Sequence, residues 1–184
     1  MPRIIDHDAR RAQIFEGSIA LFSAHGFAGL GMRQLAKDLG VSTGTLYHYF
    51  PNKSLLFEGM MRYLATDHVA IAVSSLADVE DKSARIELLY AFLVAQSDRI
   101  RQVLYVAIDY RRSVGVESQS LIGEVFRVYL DAIAEQFTDG DVVSAREILS
   151  FVVGVLVYTG LQDGEESVED LLAPIVRLVP KSAD

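Results

Sequence analysis

Residues 26–56 read GFAGLGMRQLAKDLGVSTGTLYHYFPNKSLL, and their punctuation decides the fold. Gly26 marks a left-handed stop for a preceding helix, with Phe27 folding back onto it. A short helix is predicted from about Met32 to Leu39, with Leu35, Ala36 and Leu39 inward, and Gly40 ends it. Val41 is the expected buried residue of a tight turn. Ser42 or Thr43 caps a third short helix that ends near Phe50. Pro51 and Asn52 then break the chain, and a long fourth helix begins around Lys53. Two short helices joined by a turn of about three residues, with glycine at its start, form the helix-turn-helix pattern.

Working outward, Asp8 is the expected N-cap of the first helix, and Ile14, Leu21 and Phe22 lie on one of its faces. The fourth helix is expected to run to about Ala77, followed by a polar loop over Asp78–Lys82. Apolar residues recur at helical spacing through the remainder, predicting helices near 83–96, 98–113, 117–137, 141–162 and 167–179. Their expected stops are Gly115, Asp139-Gly140, Asp163-Gly164 and Pro180. The chain therefore reads as all-α, with about nine helices. The expected domains are 1–52, the helix-turn-helix, and 53–184, a helical body.

Composition narrows the function. The 184 residues are 51% hydrophobic, and the mean hydropathy is +0.24. The uncharged stretch from Ile148 to Gln162 falls short of the roughly 20 residues of a membrane span. The first residues lack the apolar core of a signal peptide. The expectation is a soluble cytoplasmic protein that touches no membrane and buries surplus apolar surface against a second subunit. There is no cysteine, and the four histidines (His7, His25, His48, His68) form no metal-ligand spacing, so neither metal nor cofactor is expected. No catalytic triad, carboxylate pair or phosphate loop can be assembled, which argues against an enzyme. The net charge is −8, but residues 1–55 hold six basic against four acidic side chains, and the remainder eleven against twenty-one. A mildly basic head on an acidic body suits contact with phosphate at one end only.

The Gly26-Phe27 pair, the Gly40-Val41-Ser42 turn, the Gly44-Thr45-Leu46-Tyr47 core, and Phe50 followed by Asn52-Lys53 and Leu55 resemble the TetR family of transcriptional regulators, as does the Ile14–Phe22 stretch before them. The resemblance covers roughly the first 57 residues. It implies an N-terminal DNA-binding domain and a C-terminal domain for effector binding and dimerisation. It further implies a homodimer that represses from a palindromic double-stranded operator and is released by a small molecule. Arg33, Ser42, Thr43, Gly44, Thr45, Tyr47, His48, Tyr49 and Lys53 are the candidate DNA-binding residues. Leu46 and Phe50, four apart, keep the bulk of the third helix inward. Gly44 lets backbone approach the groove, hydroxyls reach phosphates, and His48 or Arg33 can meet a base edge. Lys53 opens the fourth helix, where charge and free N–H groups favour a phosphate. Three places depart from the family pattern: Gly31 and Met32 stand where a hydroxyl residue is usual, Gly17 and Ser18 replace alanines and are expected to loosen the first helix, and Ser54 replaces an acid.

The body is less informative. A helix apolar on nearly every face after Ile148 must be buried all round, partly by its own domain and partly by a partner. The family's dimer bundle of the last two long helices maps onto 141–162 and 167–179, with Phe151, Gly154, Val155, Tyr158, Leu171 and Ile175 as candidate interface residues. Tyr105, Asp109, Phe126, Tyr129 and Tyr158 are candidate liners of a pocket for an apolar or aromatic effector; Asp109, if inward, would suit a cation. A structural or division-control DNA-binding protein of the same fold, without an effector, stands as the alternative.

Overall fold

The computed structural model describes residues 7–115, 119–162 and 166–179. Among them the chain is all-helical, in nine helices. The first, α1, spans His7–Gly29, interrupted at Gly26, whose φ of 71° and ψ of 164° lie in a region essentially reserved for glycine. Asp8 sits in its first turn rather than capping it. Phe27 does fold back, its ring 5.9 Å from that of Phe22.

The next helix, α2, spans Met32–Asp38. Gly40 follows with φ 66°. Its N–H donates to the Lys37 carbonyl at 3.1 Å and the Val41 N–H to that of Ala36 at 2.9 Å, the paired bonds of a Schellman stop. Val41 is half-buried, not buried as expected. Helix α3, Thr43–Tyr49, is capped by Ser42, whose hydroxyl accepts from the Thr45 N–H at 2.9 Å. Leu46 is fully buried and Phe50 nearly so. At Gly17 a Cβ would stand 2.6 Å from Leu39 Cδ2, so the missing side chain lets α1 meet the end of α2.

Asn52 accepts from the Leu55 N–H at 2.9 Å at the start of α4, Lys53–Ser74, which ends short of the expected Ala77. Helix α5, Lys82–Val114, replaces the expected pair at 83–96 and 98–113. No glycine or proline interrupts it, and the segment between the two expected helices is helix surface, where Asp98 pairs with Arg101 one turn on. Helix α6 spans Gln119–Phe137 and α7 spans Val142–Thr159, capped by Asp141. The expected helix at 167–179 is two short pieces, α8 (Val168–Leu172) and α9 (Ile175–Leu178), parted at Ala173-Pro174 because proline cannot continue the ladder. The stops placed at Asp163-Gly164 and Pro180 lie outside the described residues.

By length and composition α7 is apolar enough to cross a membrane when its first turns, with Arg146 and Glu147, are included; the uncharged stretch from Ile148 to Gln162 remains shorter than a span. Its Ile148, Val152, Val155 and Leu156 are buried in a core with Leu172 and Ile175.

The backbone falls into two compact units that do not divide at 52/53. One comprises residues 1–64 and 105–123, the other 65–104 and 124–184. The first is organised by an aromatic cluster. Phe57 meets Phe22 and Phe27 edge-on at 5.2 and 5.3 Å and stacks on Tyr110 at 4.2 Å. The second is built on the apolar core around α7.

Candidate functional site

Successive residues of a helix are turned by about 100°. On α3 that puts Thr43, Gly44, Tyr47 and His48 on one side and Leu46 and Phe50 on the other, with Thr45 and Tyr49 between. The structure agrees: Thr43, Gly44 and His48 are exposed, Tyr47 is 46% exposed, and Thr45 and Tyr49 are half-buried. The flanking pair is used internally. Thr45 Oγ1 lies 2.7 Å from Ser42 Oγ, and Tyr49 Oη lies 3.0 Å from His7 Nδ1. Ser42 is thus occupied as a cap, while Thr43, Gly44, Tyr47 and His48 stay open to a partner. A Cβ on Gly44 would meet only Ser42 Oγ at 3.9 Å, an ordinary distance, so nothing inside the protein demands glycine there. Arg33, in the first turn of α2, is also exposed.

Lys53 does not sit on this face. Its ammonium donates to the carbonyls of Phe27 and Leu30, the latter at 2.7 Å, and lies 4.2 Å from the centre of the Phe27 ring. Burial lowers its pKa, and the charge of Asp109 opposes that. Asp109 in turn accepts from the Phe27 N–H at 2.6 Å. Both residues leave their expected roles: Lys53 and Asp109 together clamp the chain between α1 and α2.

The second unit contains a cavity of about 120 Å³, walled by the latter part of α4, the first two-thirds of α5, α6 and α7. Of the expected liners, Phe126 and Tyr129 belong to its wall. Tyr105 and Asp109 fall in the other unit. Tyr158 is half-exposed and donates to Glu166 at 2.8 Å. Sequence reasoning missed His68, which lines the cavity while only 4% exposed. The signal was available: His68 is four residues after Leu64 and eight after Met60, on the buried stripe of α4. Its Nδ1 lies 3.2 Å from Tyr129 Oη, and its Nε2 is buried with no partner among the described residues.

Burial, then the nearby Arg99, push the His68 pKa below its usual 6.5, against a smaller pull from Asp67. The unfolded chain therefore binds this proton more readily than the folded one. Stability from the neutral ring is complete above the unfolded value and is lost as pH falls through 6.5 towards the folded value. The expected result is a melting temperature that drops between about pH 7.5 and 5.5 more steeply in the wild type than in His68→Phe. Equal slopes would mean that the ring is not held neutral.

The expected interface residues divide. Val155 and Ile175 are buried in the subunit's own core, Ile175 completely, and so are not available to a partner. Phe151 and Leu171 are half-buried, Gly154 and Tyr158 exposed. The last two long helices are α6 and α7, since the terminal segment is too short to form half of a bundle. On α7, Val143, Phe151, Gly154 and Tyr158 fall on one side, with Val143 63% exposed.

Residues 14–60 match the family described as bacterial regulatory proteins, tetR family. The HTH-type transcriptional regulator PksA of Bacillus subtilis is 30% identical over 105 residues, 56% of this chain and 51% of that protein. The nucleoid occlusion factor SlmA of Aliivibrio fischeri is 33% identical over 91 residues, 49% of this chain and 46% of that protein. These matches span about half the length of either relative. Among solved structures, the transcriptional regulator FadR from Bacillus subtilis in complex with stearoyl-CoA superposes with a TM-score of 0.76 at 17% identity, covering 91% of this chain and 97% of that one. The fold is shared over nearly the whole chain, while the family match covers residues 14–60.

Proposed function

We propose that this chain, whose residues 14–60 match the tetR family of bacterial regulatory proteins and whose fold is like that of FadR, is a cytoplasmic, ligand-responsive repressor of that family. It binds a palindromic operator as a homodimer and is released by a small molecule held in the cavity of the second unit. The observation that carries the reading is the outward face of α3. It offers one small polar, one glycine, one aromatic hydroxyl and one imidazole position, with no internal reason for the glycine. Such a face enters a major groove closely and reads base edges while hydroxyls fix register on phosphates. A second copy, meeting the first along α6 and the Val143–Tyr158 side of α7, would place two such helices about one turn of DNA apart.

The effector part rests on the cavity. Helix α4 supplies Leu56 and Phe57 to the first unit's core and His68 to the cavity wall. A ligand that favours another setting of α4 shifts the population away from the DNA-binding state. The cavity favours this reading over the alternative of a structural or division-control DNA-binding protein without an effector, which would need no such space.

Selection from a random duplex pool near physiological salt tests it. The wild type should enrich an inverted repeat. Arg33→Ala should relax preference at one base pair in each half-site by about 5- to 150-fold, the range of a bidentate arginine–guanine contact. If the wild type enriches no sequence, the protein is not a site-specific regulator.

A further inference from the structure

The cavity of the second unit is walled by α4, α5, α6 and α7, and no aspartate, glutamate, lysine or arginine belongs to that wall. Three polar side chains do, His68, Tyr129 and Gln136, yet the surface that the space touches is wholly apolar. All three are engaged or covered within the protein. Gln136 Oε1 accepts from Arg85. Tyr129 Oη lies 3.2 Å from His68 Nδ1, and His68 Nε2 is buried. What faces the space is hydrocarbon, supplied by such residues as Val69 and Val73 on α4, Leu93 and Leu104 on α5, Ile133 on α6 and Val152 on α7.

Such a lining rewards one kind of occupant. Apolar surface that enters leaves water and gains close contact with the wall. A hydroxyl or carbonyl that enters gives up its hydration and finds no partner. A carboxylate or ammonium gives up far more, with no charge in the wall to replace the water. Water itself needs polar partners to occupy a cavity, and this surface offers none. Size sets a second limit. A cavity of about 150 Å³ lined by Leu, Ile and Phe holds benzene, and this one measures about 120 Å³.

We propose that the cavity recognises its ligand through hydrocarbon alone, without a hydrogen bond. The ligand is a free, uncharged hydrocarbon of one-ring size, such as benzene or toluene, and the wall rejects analogues of the same shape that carry a hydroxyl or a charge. The inference rests on the reading of this cavity as the effector site and adds the chemical class of effector.

Calorimetry on the full chain tests it with toluene, phenol, benzoate and 1,3,5-triisopropylbenzene. Toluene and phenol are equal in heavy atoms and differ only in methyl against hydroxyl. Toluene should bind about 5- to 150-fold more tightly than phenol, the penalty of burying a hydroxyl without a partner. Benzoate and the oversized 1,3,5-triisopropylbenzene should not bind. Ala72→Leu, which carries a wall residue of α4 further into the space, should abolish toluene binding while the helical circular dichroism is kept. A second readout needs no variant to fold: xenon, which enters dry apolar cavities, should shift its ¹²⁹Xe resonance with the wild type and be displaced by toluene. Phenol or benzoate binding as tightly as toluene, tighter binding of the oversized ring, toluene binding undiminished in a folded Ala72→Leu, or xenon that toluene does not displace overturns the proposal. Operator binding measured alongside separates this from the regulatory reading. If toluene binds with the expected selectivity and leaves operator affinity unchanged, the cavity chemistry stands and release of the repressor by this ligand does not.

Discussion

Phe57→Ala should cost the protein about 3–5 kcal/mol, the cost of truncating a fully buried phenylalanine in a core that cannot collapse around the gap. Phe57 is completely buried, and its ring is enclosed by three others, two from α1 on either side of its interruption at Gly26 and one from α5. Two of these contacts are edge-on and one is stacked, geometries that add about 0.5–1.5 kcal/mol each beyond area. The neighbours hold one another as well: Phe27 lies 4.8 Å from Tyr110, edge-on, so removing Phe57 leaves a rigid cavity rather than a gap the others can fill. A domain holds only about 5–15 kcal/mol in total. The variant should therefore show a large loss in urea midpoint and weak operator binding, whereas Phe57→Leu should lose much less. Chemical denaturation followed by tyrosine fluorescence measures both. A loss below about 1 kcal/mol would mean that the cluster is not what supports α4 in the first unit.

The parts of the fold that were legible in the sequence are those set by near neighbours. Gly26, Gly40, Ser42 and Asn52 act on the few residues beside them, and the helix ends they dictate are where they were expected. Legibility failed between 96 and 98, where two helices were expected and one runs through. Gln96-Ser97-Asp98 is polar because one side of α5 faces water, and a helix continues through such a patch unless glycine or proline interrupts it. It failed in the opposite direction at Pro174, which sits inside an apolar period that promised one helix and yields two.

The candidate site divides in the same way. The outward face of α3 follows from helical geometry alone, and the structure exposes Thr43, Gly44, Tyr47 and His48 as that geometry requires. The cavity does not follow from local rules. Tyrosines at helical spacing say nothing about which space they face, and Tyr105, Asp109 and Tyr158 are not part of the cavity wall. His68 is the instructive omission. Among the four histidines it was judged only for metal-ligand spacing. A histidine on a buried stripe is better judged by the stripe than by its neighbour in sequence, because the next residue on a helix points about 100° away.

The Asp109–Lys53 clamp lies furthest from anything the sequence displays, since Asp109 and Phe27 are 82 residues apart. Its removal carries the second large expected effect. Asp109→Ala leaves the Phe27 N–H, on a buried residue, without its acceptor and removes the nearby charge that favours protonated Lys53. The unsatisfied donor should cost about 1–3 kcal/mol, and the lost charge adds little, because Lys53 is only partly buried and keeps its two carbonyl acceptors. Asp109→Asn separates the two: its amide oxygen can still accept from Phe27 while the charge is gone, so it should cost less than half as much. Lys53→Met, which frees the carbonyls of Phe27 and Leu30, should be far from additive with Asp109→Ala, because both act on the one turn. The effect should extend to operator binding. Leu30 is three residues before Arg33, and the clamped turn fixes where α2 begins; a loosened turn leaves Arg33 without a set position over a base pair. The expected pattern is reduced operator affinity for Asp109→Ala at temperatures where the protein is still folded, with affinity largely kept in Asp109→Asn. Full operator affinity and unchanged stability in Asp109→Ala would show that the α1–α2 turn holds itself. In that case Gly26, whose backbone no other residue adopts easily, would be enough to shape it.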